Sequence, residues 1–143
     1  MSPNPKAIKF AIRAHGDQKY GSYPYIYHLI MVDEVLWKYG NDLRCAAYLH
    51  DVLEDTKTTK EELEKEFNAN IVDWVCLVTN EAGVNRKERH EKTYPKIRTN
   101  PFAVALKLAD RIANVQFSIE TESSLLRMYN MEHDDFKKAL FKE

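Results

Sequence analysis

The stretch Ala46-Ala47-Tyr48-Leu49-His50-Asp51-Val52-Leu53-Glu54-Asp55-Thr56 places four ionisable side chains close together between apolar neighbours. Residues three and four apart share a face of a helix, so Glu54 would lie on the side of His50 and Asp51. His50 and Asp51 are about 100° apart on a helical wheel, which still lets both reach one ion. An imidazole and two carboxylates are the groups that metal-assisted hydrolysis requires. The alternative is an ordinary solvated helix end, so further ligands elsewhere in the chain must decide.

The composition indicates one ordinary globular domain. The 143 residues, 44% hydrophobic and 30% charged, fit a single domain over residues 1–143. The net charge of −1 and the lack of a long basic run argue against a nucleic-acid partner. The low counts of 4 Gly and 5 Pro argue against a loop-rich or β-turn-rich fold.

The chain carries features of a cytoplasmic protein. Cys45 and Cys76 lack the close spacing of a thiolate metal site and are expected to be reduced, buried thiols. We find no signal-peptide core at the start and no apolar run near the roughly 18 residues of a membrane span. We therefore expect a cytoplasmic location and no membrane partner, while the oligomeric state stays open.

Apolar residues recur at helical spacing in every long segment. The pattern predicts an all-α fold, a single bundle of about six to eight helices. Asp42 is expected to cap the helix that carries the central stretch and ends near Leu53. Thr58 and Thr59 precede Glu61 and Glu62 at capping-box spacing. The other helices are expected over about 5–15, 25–39, 71–78, 85–98, 102–115 and 122–141.

Two further segments offer candidate ligands. His28 lies among apolar residues of the second predicted helix, and Asp110 lies in the strongly apolar helix after Pro101. Lys107 and Asn114 share a face with Asp110, and polar groups inside an apolar helix are costly unless paired or functional. Two imidazoles and two carboxylates suit a divalent ion such as Mn, Fe, Zn or Mg.

Two further segments carry aromatic and basic residues that could contribute to a binding site. Lys19 to Tyr25 is expected to form a loop, whose tyrosines and lysine suit stacking on a planar ring beside an anion, or simply aromatic packing. The charged segment from Asn85 to Arg98 fits a solvated helix or a wall of an anion site. In the second case its basic residues would line that site: Arg86, Lys87, Arg89 and Lys92.

The order of these motifs resembles the HD-domain metal phosphohydrolases. The resemblance points in particular to the hydrolase domain of the RelA/SpoT proteins and to their small stand-alone relatives, the alarmone hydrolases. It runs from about Ala7 to Val115. The matching residues are Pro24-Tyr25-Ile26-Tyr27-His28, His50-Asp51-Val52-Leu53-Glu54-Asp55-Thr56, Thr58-Thr59 with Glu61-Glu62-Leu63, and Lys107-Leu108-Ala109-Asp110-Arg111 with Asn114.

The resemblance implies an enzyme that hydrolyses the 3′-pyrophosphate of guanosine tetra- and pentaphosphate. It implies one Mn ion, held by His28, His50, Asp51 and Asp110. It also implies that Glu54 and Asp55 position and deprotonate the attacking water. The candidate substrate-binding residues are Lys19, Tyr20, Tyr23, Lys107, Arg111 and Asn114. No synthetase segment follows within these residues, so we expect no alarmone synthesis.

The chain departs from the family pattern in the loop before His28. An Arg-Lys pair is usual there, and this chain has Lys19-Tyr20, while Leu29 replaces a usual proline. Tyrosine can stack on a base but supplies no cation. A phosphohydrolase for another nucleotide or phosphate ester, and a non-catalytic nucleotide-sensing module, are therefore kept as alternatives. A helical protein without any site would have to explain all four ligands as coincidence.

Overall fold

Nine helical segments and one small hairpin form the part of the chain that the structure, a computed structural model, describes: residues 4–121 and 125–140. One helical segment, α4, is a single four-residue turn. The expected all-α bundle is thereby confirmed. In chain order the elements are α1 (Pro5–His15), β1 (Lys19–Tyr20), β2 (Tyr23–Pro24), α2 (Ile26–Leu36), α3 (Asn41–Leu49), α4 (Val52–Asp55), α5 (Lys60–Glu66), α6 (Ala69–Val78), α7 (Arg86–Ile97), α8 (Pro101–Glu120) and α9 (Leu125–Leu140).

Side-chain caps fix the start of most of these helices. The Thr59 hydroxyl accepts the amide of Glu62, and the Glu62 carboxylate accepts the amide of Thr59, which confirms the predicted capping box. An asparagine oxygen caps each of four other helices. These residues are Asn4, Asn68, Asn85 and Asn100. The prediction for α3 was wrong, because Gly40 precedes the helix and Asp42 lies in its first turn.

The helix that carries the central stretch breaks at His50, where the sequence predicted that it would continue to Leu53. α3 ends at Leu49, and Asp51 has backbone angles of φ −105° and ψ −3° before α4 begins. The His50 ring nitrogen Nδ1 binds the carbonyl oxygen of Ala47 at 2.7 Å. In a continued helix that carbonyl would accept the amide of Asp51. The side chain therefore takes the place of one backbone hydrogen bond, and the chain turns.

α8 runs through the centre of the bundle. It packs against α2, α3, α6, α7 and α9, and α3 packs in addition against α1, α2 and α6. Leu29, Leu49, Val75 and Leu106 are fully buried where these helices meet. Burial of each such side chain contributes about 1.5–3 kcal/mol, so the core fixes α2, α3 and α8 relative to one another. These three elements carry the candidate ligands.

A hairpin replaces the loop expected over Lys19–Tyr25. β1 and β2 pair antiparallel, with Tyr20 opposite Tyr23. The turn needs a glycine at Gly21, because φ is +61° and an added Cβ would lie 2.9 Å from the ring of Phe117.

The last helix extends over Leu125–Leu140, and the predicted ends at Glu122 and Phe141 lie outside the described residues. Among the helices that the structure describes, none has the length and apolar character needed to cross a membrane.

Candidate metal centre

Four side chains converge where α2, the end of α3 and α8 meet. The Nε2 atoms of His28 and His50 lie 2.9 and 3.1 Å from the same oxygen, Oδ1 of Asp110. Asp51 completes the group, with its Oδ2 3.1 Å from His50 Nε2 and 3.6 Å from His28 Nε2. One ligand atom from each residue lies within 4.8 Å of the others. The structure thus brings together all four residues that the sequence offered as ligands.

The chemistry of this group fits a divalent cation. His28, His50 and Asp110 are buried, and Asp51 is half-buried. Two carboxylates that are taken out of water side by side require a nearby positive charge. Nitrogen and oxygen donors of this kind suit Mn, Fe, Zn or Mg, and they do not by themselves select one of these metals.

Electrostatics within the cluster show the same demand for positive charge. Burial opposes ionisation of Asp51, but the charge and the hydrogen bond of His50 outweigh it and lower the pKa of Asp51 to about 2. Burial also opposes ionisation of Asp110, where Lys107 and the two histidines hold the pKa well below its usual range. Against the effect of its own burial, the neighbouring carboxylates raise the pKa of His50 well above its ordinary value.

A backbone contact sets the orientation of His50. The carbonyl of Ala47 can only accept, so Nδ1 of His50 carries a proton and Nε2 faces the cluster. A hydrogen bond from the other ring nitrogen fixes the ring and leaves Nε2 as the atom that could ligate a metal. The same bond that ends α3 therefore directs Nε2 of His50 into the cluster.

Asp110 is held by two neighbours on its own helix. Lys107 donates to Oδ2 at 3.3 Å, and the amide of Asn114 donates to Oδ1 at 3.3 Å. The predicted shared face of these three residues is confirmed. On the opposite side of the cluster, the hydroxyl of Tyr25 donates to Oδ2 of Asp51 at 2.6 Å.

Glu54 and Asp55, on the single turn α4, line the same cleft, which has a volume of about 220 Å³. The amide of Asn80 donates to Oε1 of Glu54 at 2.8 Å, and the amide of Gln18 donates to Oδ2 of Asp55 at 3.2 Å. Both carboxylates sit at the solvent-open rim. Partial loss of hydration there raises the pKa of Glu54, and, together with the charge of Asp51, raises that of Asp55. Higher pKa values make both groups better proton acceptors near neutral pH.

Basic residues from α7 and α8 form the other wall of the cleft. Lys107 and Arg86 line it, and Glu132 of α9 holds the guanidinium of Arg86 at 2.6 and 3.1 Å. His90 lies one turn beyond Arg86 and shares a 3.0 Å hydrogen bond with the hydroxyl of Tyr94. Burial, helped by the charges of Lys107 and Arg86, lowers the pKa of His90 to about 4. His90 is therefore neutral at physiological pH.

The hairpin covers one end of the cleft. The Tyr20 hydroxyl donates to Oδ1 of Asn114 at 2.6 Å, and its ring packs on the rings of His28 and Phe117 at 4.6 and 4.2 Å. A second cleft of about 260 Å³ opens beside it, lined by Lys19, Tyr20, Tyr23 and Asn114 among others. Four of the six candidate substrate-binding residues thus share this second cleft.

Arg111, another of those six, points away from the metal cluster. Its guanidinium donates to the carbonyl of Tyr129 at 2.7 Å, lies 3.5 Å from Glu132 and stacks over the ring of Phe136 at 4.4 Å. It is absent from the residues that line the cleft around the four ligands. The contacts with Tyr129, Glu132 and Phe136 hold the guanidinium against α9.

The cleft also contains residues that the sequence did not single out for it. Asn80 and Tyr25 contact Glu54 and Asp51, and His90 also lines the cleft. Tyr25 stands three residues before His28, a spacing that could have placed it on the same face. Nothing local in the sequence indicates Asn80, because it acts through its backbone amide.

Comparisons with known proteins agree with this fold and site. A family model described as HD domain matches residues 7–132. A guanosine-3′,5′-bis(diphosphate) 3′-pyrophosphohydrolase of Aquifex aeolicus is 36% identical over 118 residues, which cover 78% of this chain and 17% of that protein. A protein of Danio rerio with the same enzyme name is 33% identical over 119 residues, which cover 78% of this chain and 66% of that one.

A solved structure carries the fold comparison. It is described as a metazoan ortholog of SpoT that hydrolyses ppGpp, and it superposes with a TM-score of 0.82 at 23% identity. The superposition covers 99% of this chain and 88% of that one, and at this identity it shows the fold alone. Since the family model spans most of the sequence and includes all four candidate ligands, the chain belongs to the HD domain family.

Proposed function

We propose that this chain is a metal-dependent phosphohydrolase that removes the 3′-pyrophosphate of guanosine 3′,5′-bis(diphosphate). The observation that carries the proposal is the meeting of four metal ligands and two further carboxylates in one cleft. The relatives from Aquifex aeolicus and Danio rerio are named for this reaction. Each is more than 30% identical to this chain over the aligned residues.

His28, His50, Asp51 and Asp110 would hold the ion, for which we propose Mn²⁺ first and Fe, Zn or Mg as alternatives. An ion held there would supply Lewis-acid chemistry, lowering the pKa of a neighbouring water and polarising a phosphoryl oxygen. The protein supplies the acceptor for the proton that the attacking water loses. Glu54 is that acceptor in our proposal, with Asp55 beside it to orient the water.

The reaction splits the bond between the 3′ oxygen of the ribose and phosphorus. The water oxygen forms the new bond to phosphorus, its proton passes to Glu54, and the 3′ oxygen leaves and is protonated, which gives GDP and pyrophosphate. Arg86 and Lys107 are the cations of the cleft wall, and we assign them to neutralising phosphate charge. Asn114 lines both the metal-site cleft and the second cleft, and we assign it to contact with the sugar.

We further propose a cytoplasmic protein, one domain over residues 1–143, with a small-molecule nucleotide as its partner. The two free cysteines and the net charge of −1 support this assignment.

A second candidate is an HD phosphohydrolase for another nucleotide or phosphate ester. Tyr20 favours it, because its ring already packs on His28 and Phe117 and its hydroxyl already binds Asn114. A side chain used in this way offers a base little free surface and no cation. Lys19 is then the only hairpin cation, among the described residues, that lines the second cleft.

The experiment that separates these candidates is a panel of nucleotides incubated with the protein and Mn²⁺, with products followed by chromatography. We expect guanosine tetraphosphate to give GDP and pyrophosphate faster than its adenosine counterpart. Equal or greater turnover of other phosphate esters would promote the second candidate. Tight nucleotide binding without turnover of any compound would instead indicate the sensing module.

A further inference from the structure

A chain of hydrogen bonds behind the cleft leads from His15 through Gln18 to Asp55. His15 Nδ1 and Gln18 Oε1 are 2.8 Å apart, and Gln18 Nε2 donates to Asp55 Oδ2 at 3.2 Å. His15 is the last residue of α1, is buried, and stacks on the ring of Tyr25 at 4.5 Å. Neither His15 nor Gln18 is among the residues that line the cleft. Both stand behind a carboxylate that does line it.

The backbone of Gln18 is held on both sides. Its amide donates to the carbonyl of His15 at 3.0 Å, and its carbonyl accepts the amide of Tyr25 at 3.1 Å. These two bonds join the end of α1 to the end of the hairpin, so the Gln18 side chain starts from a fixed position. Because its backbone is held in place, the Gln18 side chain can restrain the position of the Asp55 carboxylate with one hydrogen bond.

The side-chain amide of Gln18 can take only one orientation between His15 and Asp55. An ionised Asp55 only accepts hydrogen bonds, so the NH₂ group of Gln18 must face it and the carbonyl oxygen must face His15. That oxygen also only accepts, so Nδ1 of His15 must carry a proton. The buried Nε2 of His15 has no hydrogen-bond partner among the described residues, so the chain of hydrogen bonds begins at Nδ1. The hydrogen bonds therefore all point the same way: His15 donates to Gln18, and Gln18 donates to the carboxylate of Asp55.

We propose that Gln18 and His15 are positioning residues, which hold the Asp55 carboxylate in the orientation needed to order the attacking water. This inference rests on the proposed function of Asp55. Gln18 acts directly on Asp55, and His15 acts through Gln18 by fixing the direction of its amide. Neither residue touches the substrate in this account.

Replacement of Gln18 by a residue of similar length tests the first link. Gln18→Met removes both hydrogen bonds and should lower kcat about 10-fold, the effect of losing one hydrogen bond to a charged group. KM and metal content should stay near parental values, since the side chain lies outside the cleft. Gln116→Met, on the exposed side of α8, is the matched control and should leave kcat unchanged. An unchanged kcat in Gln18→Met would overturn the inference.

A pair of His15 variants separates positioning from packing. His15→Phe keeps a ring that can stack on Tyr25 but has no donor for Gln18, while His15→Asn keeps a donor near Nδ1 and loses the ring. Positioning predicts a lower kcat for His15→Phe than for His15→Asn. The opposite order would mean that His15 serves only to pack against Tyr25.

A double-mutant cycle adds a readout that a structural role would not give. If Gln18 acts only through Asp55, Gln18→Met should have no further effect on kcat in an Asp55→Asn background. Fully additive losses in the double variant would overturn the inference.

The closing test needs no turnover, so it stays decisive if the proposed substrate is wrong. Nitrogen-15 NMR of histidine-labelled protein with Mg²⁺ reports which ring nitrogen of His15 carries the proton. We expect the Nδ1–H form in the parent protein. The Nε2–H form would turn the Gln18 carbonyl toward Asp55 and overturn the inference. Absence of turnover with the Nδ1–H form would reject the proposed reaction and leave the hydrogen-bonded chain intact.

Discussion

Replacement of Glu54 by glutamine should strongly lower turnover without weakening the fold. Glu54 lines the cleft beside the four ligands, and only its Oε1 has a described partner, the amide of Asn80 at 2.8 Å. Glutamine has the same shape and can still accept that bond. It cannot accept a proton from water at neutral pH, because an amide nitrogen has no basic lone pair.

The magnitude follows from the role of the group. General-base catalysis by one positioned side chain contributes about 10²–10⁴-fold, so kcat of Glu54→Gln should fall about 100-fold or more. The thermal stability of Glu54→Gln should rise slightly or stay the same. The raised pKa of Glu54 means that its ionised form is less stable in the folded protein than in water at neutral pH. Glutamine removes that cost, so Tm should not fall.

The assay is pyrophosphate release from guanosine tetraphosphate with Mn²⁺, together with elemental analysis and thermal melting of each protein. Glu61→Gln, on the exposed first turn of α5, is the matched control and should behave like the parent. Equal turnover by the parent and Glu54→Gln would refute the base assignment. Loss of metal in Glu54→Gln would show that this carboxylate is a ligand instead.

Four further predictions test the rest of the account. Asp51→Ala should lose the metal and all turnover, and a metal-replete variant by elemental analysis would show that the ligand assignment is wrong. Arg86→Gln should raise KM for the tetraphosphate about 10-fold, with a smaller effect on kcat, in steady-state kinetics. Gly21→Ala should lower Tm more than Gly16→Ala, since both have positive φ but only the first meets an aromatic ring. The free energies of unfolding of the two variants should differ by about 1–3 kcal/mol. The pKa of His90 is lowered to about 4 in the folded protein, so the unfolded chain binds more protons between about pH 6.5 and pH 4. The free energy of unfolding therefore falls as the pH falls through this range. His90→Gln should therefore lose less Tm than the parent between pH 7 and pH 5, and equal losses would refute this role.

The sequence predicted the helices well and singled out the four side chains that meet in the structure, because both depend on local signals. The capping box at Thr59 and the apolar periodicity of α8 are written in adjacent residues. Polar ligands stand out where a helix is otherwise apolar, as His28 and Asp110 do. Capping residues and apolar periodicity can therefore be recognised from the sequence alone.

The break after α3 could not be predicted in the same way. Apolar periodicity favours a continuous helix from Asn41 to beyond Leu49, and propensity offers no reason to stop. The break depends on the His50 ring binding the carbonyl of Ala47, a bond that only the folded arrangement around the cluster makes favourable.

The far wall of the cleft depends on long-range packing. Arg86 and His90 enter the site because α7 packs against α8 and α9, and no local pattern reports that contact. The same packing turns Arg111 toward Tyr129 and away from the ligands. Residues on a helix can thus be placed on a face from sequence, but the identity of the neighbour across that face comes from the fold.

The central claim is that the His28, His50, Asp51 and Asp110 cluster binds a metal that is needed to release pyrophosphate from a guanosine polyphosphate. The most direct measurement is turnover of guanosine tetraphosphate by the protein with Mn²⁺, with GDP and pyrophosphate quantified before and after the metal is removed with a chelator. The account predicts equal amounts of the two products, loss of both on chelation, and recovery when Mn²⁺ is restored. Turnover that is unaffected by complete metal removal, or no release by a protein shown to contain the metal, would contradict it.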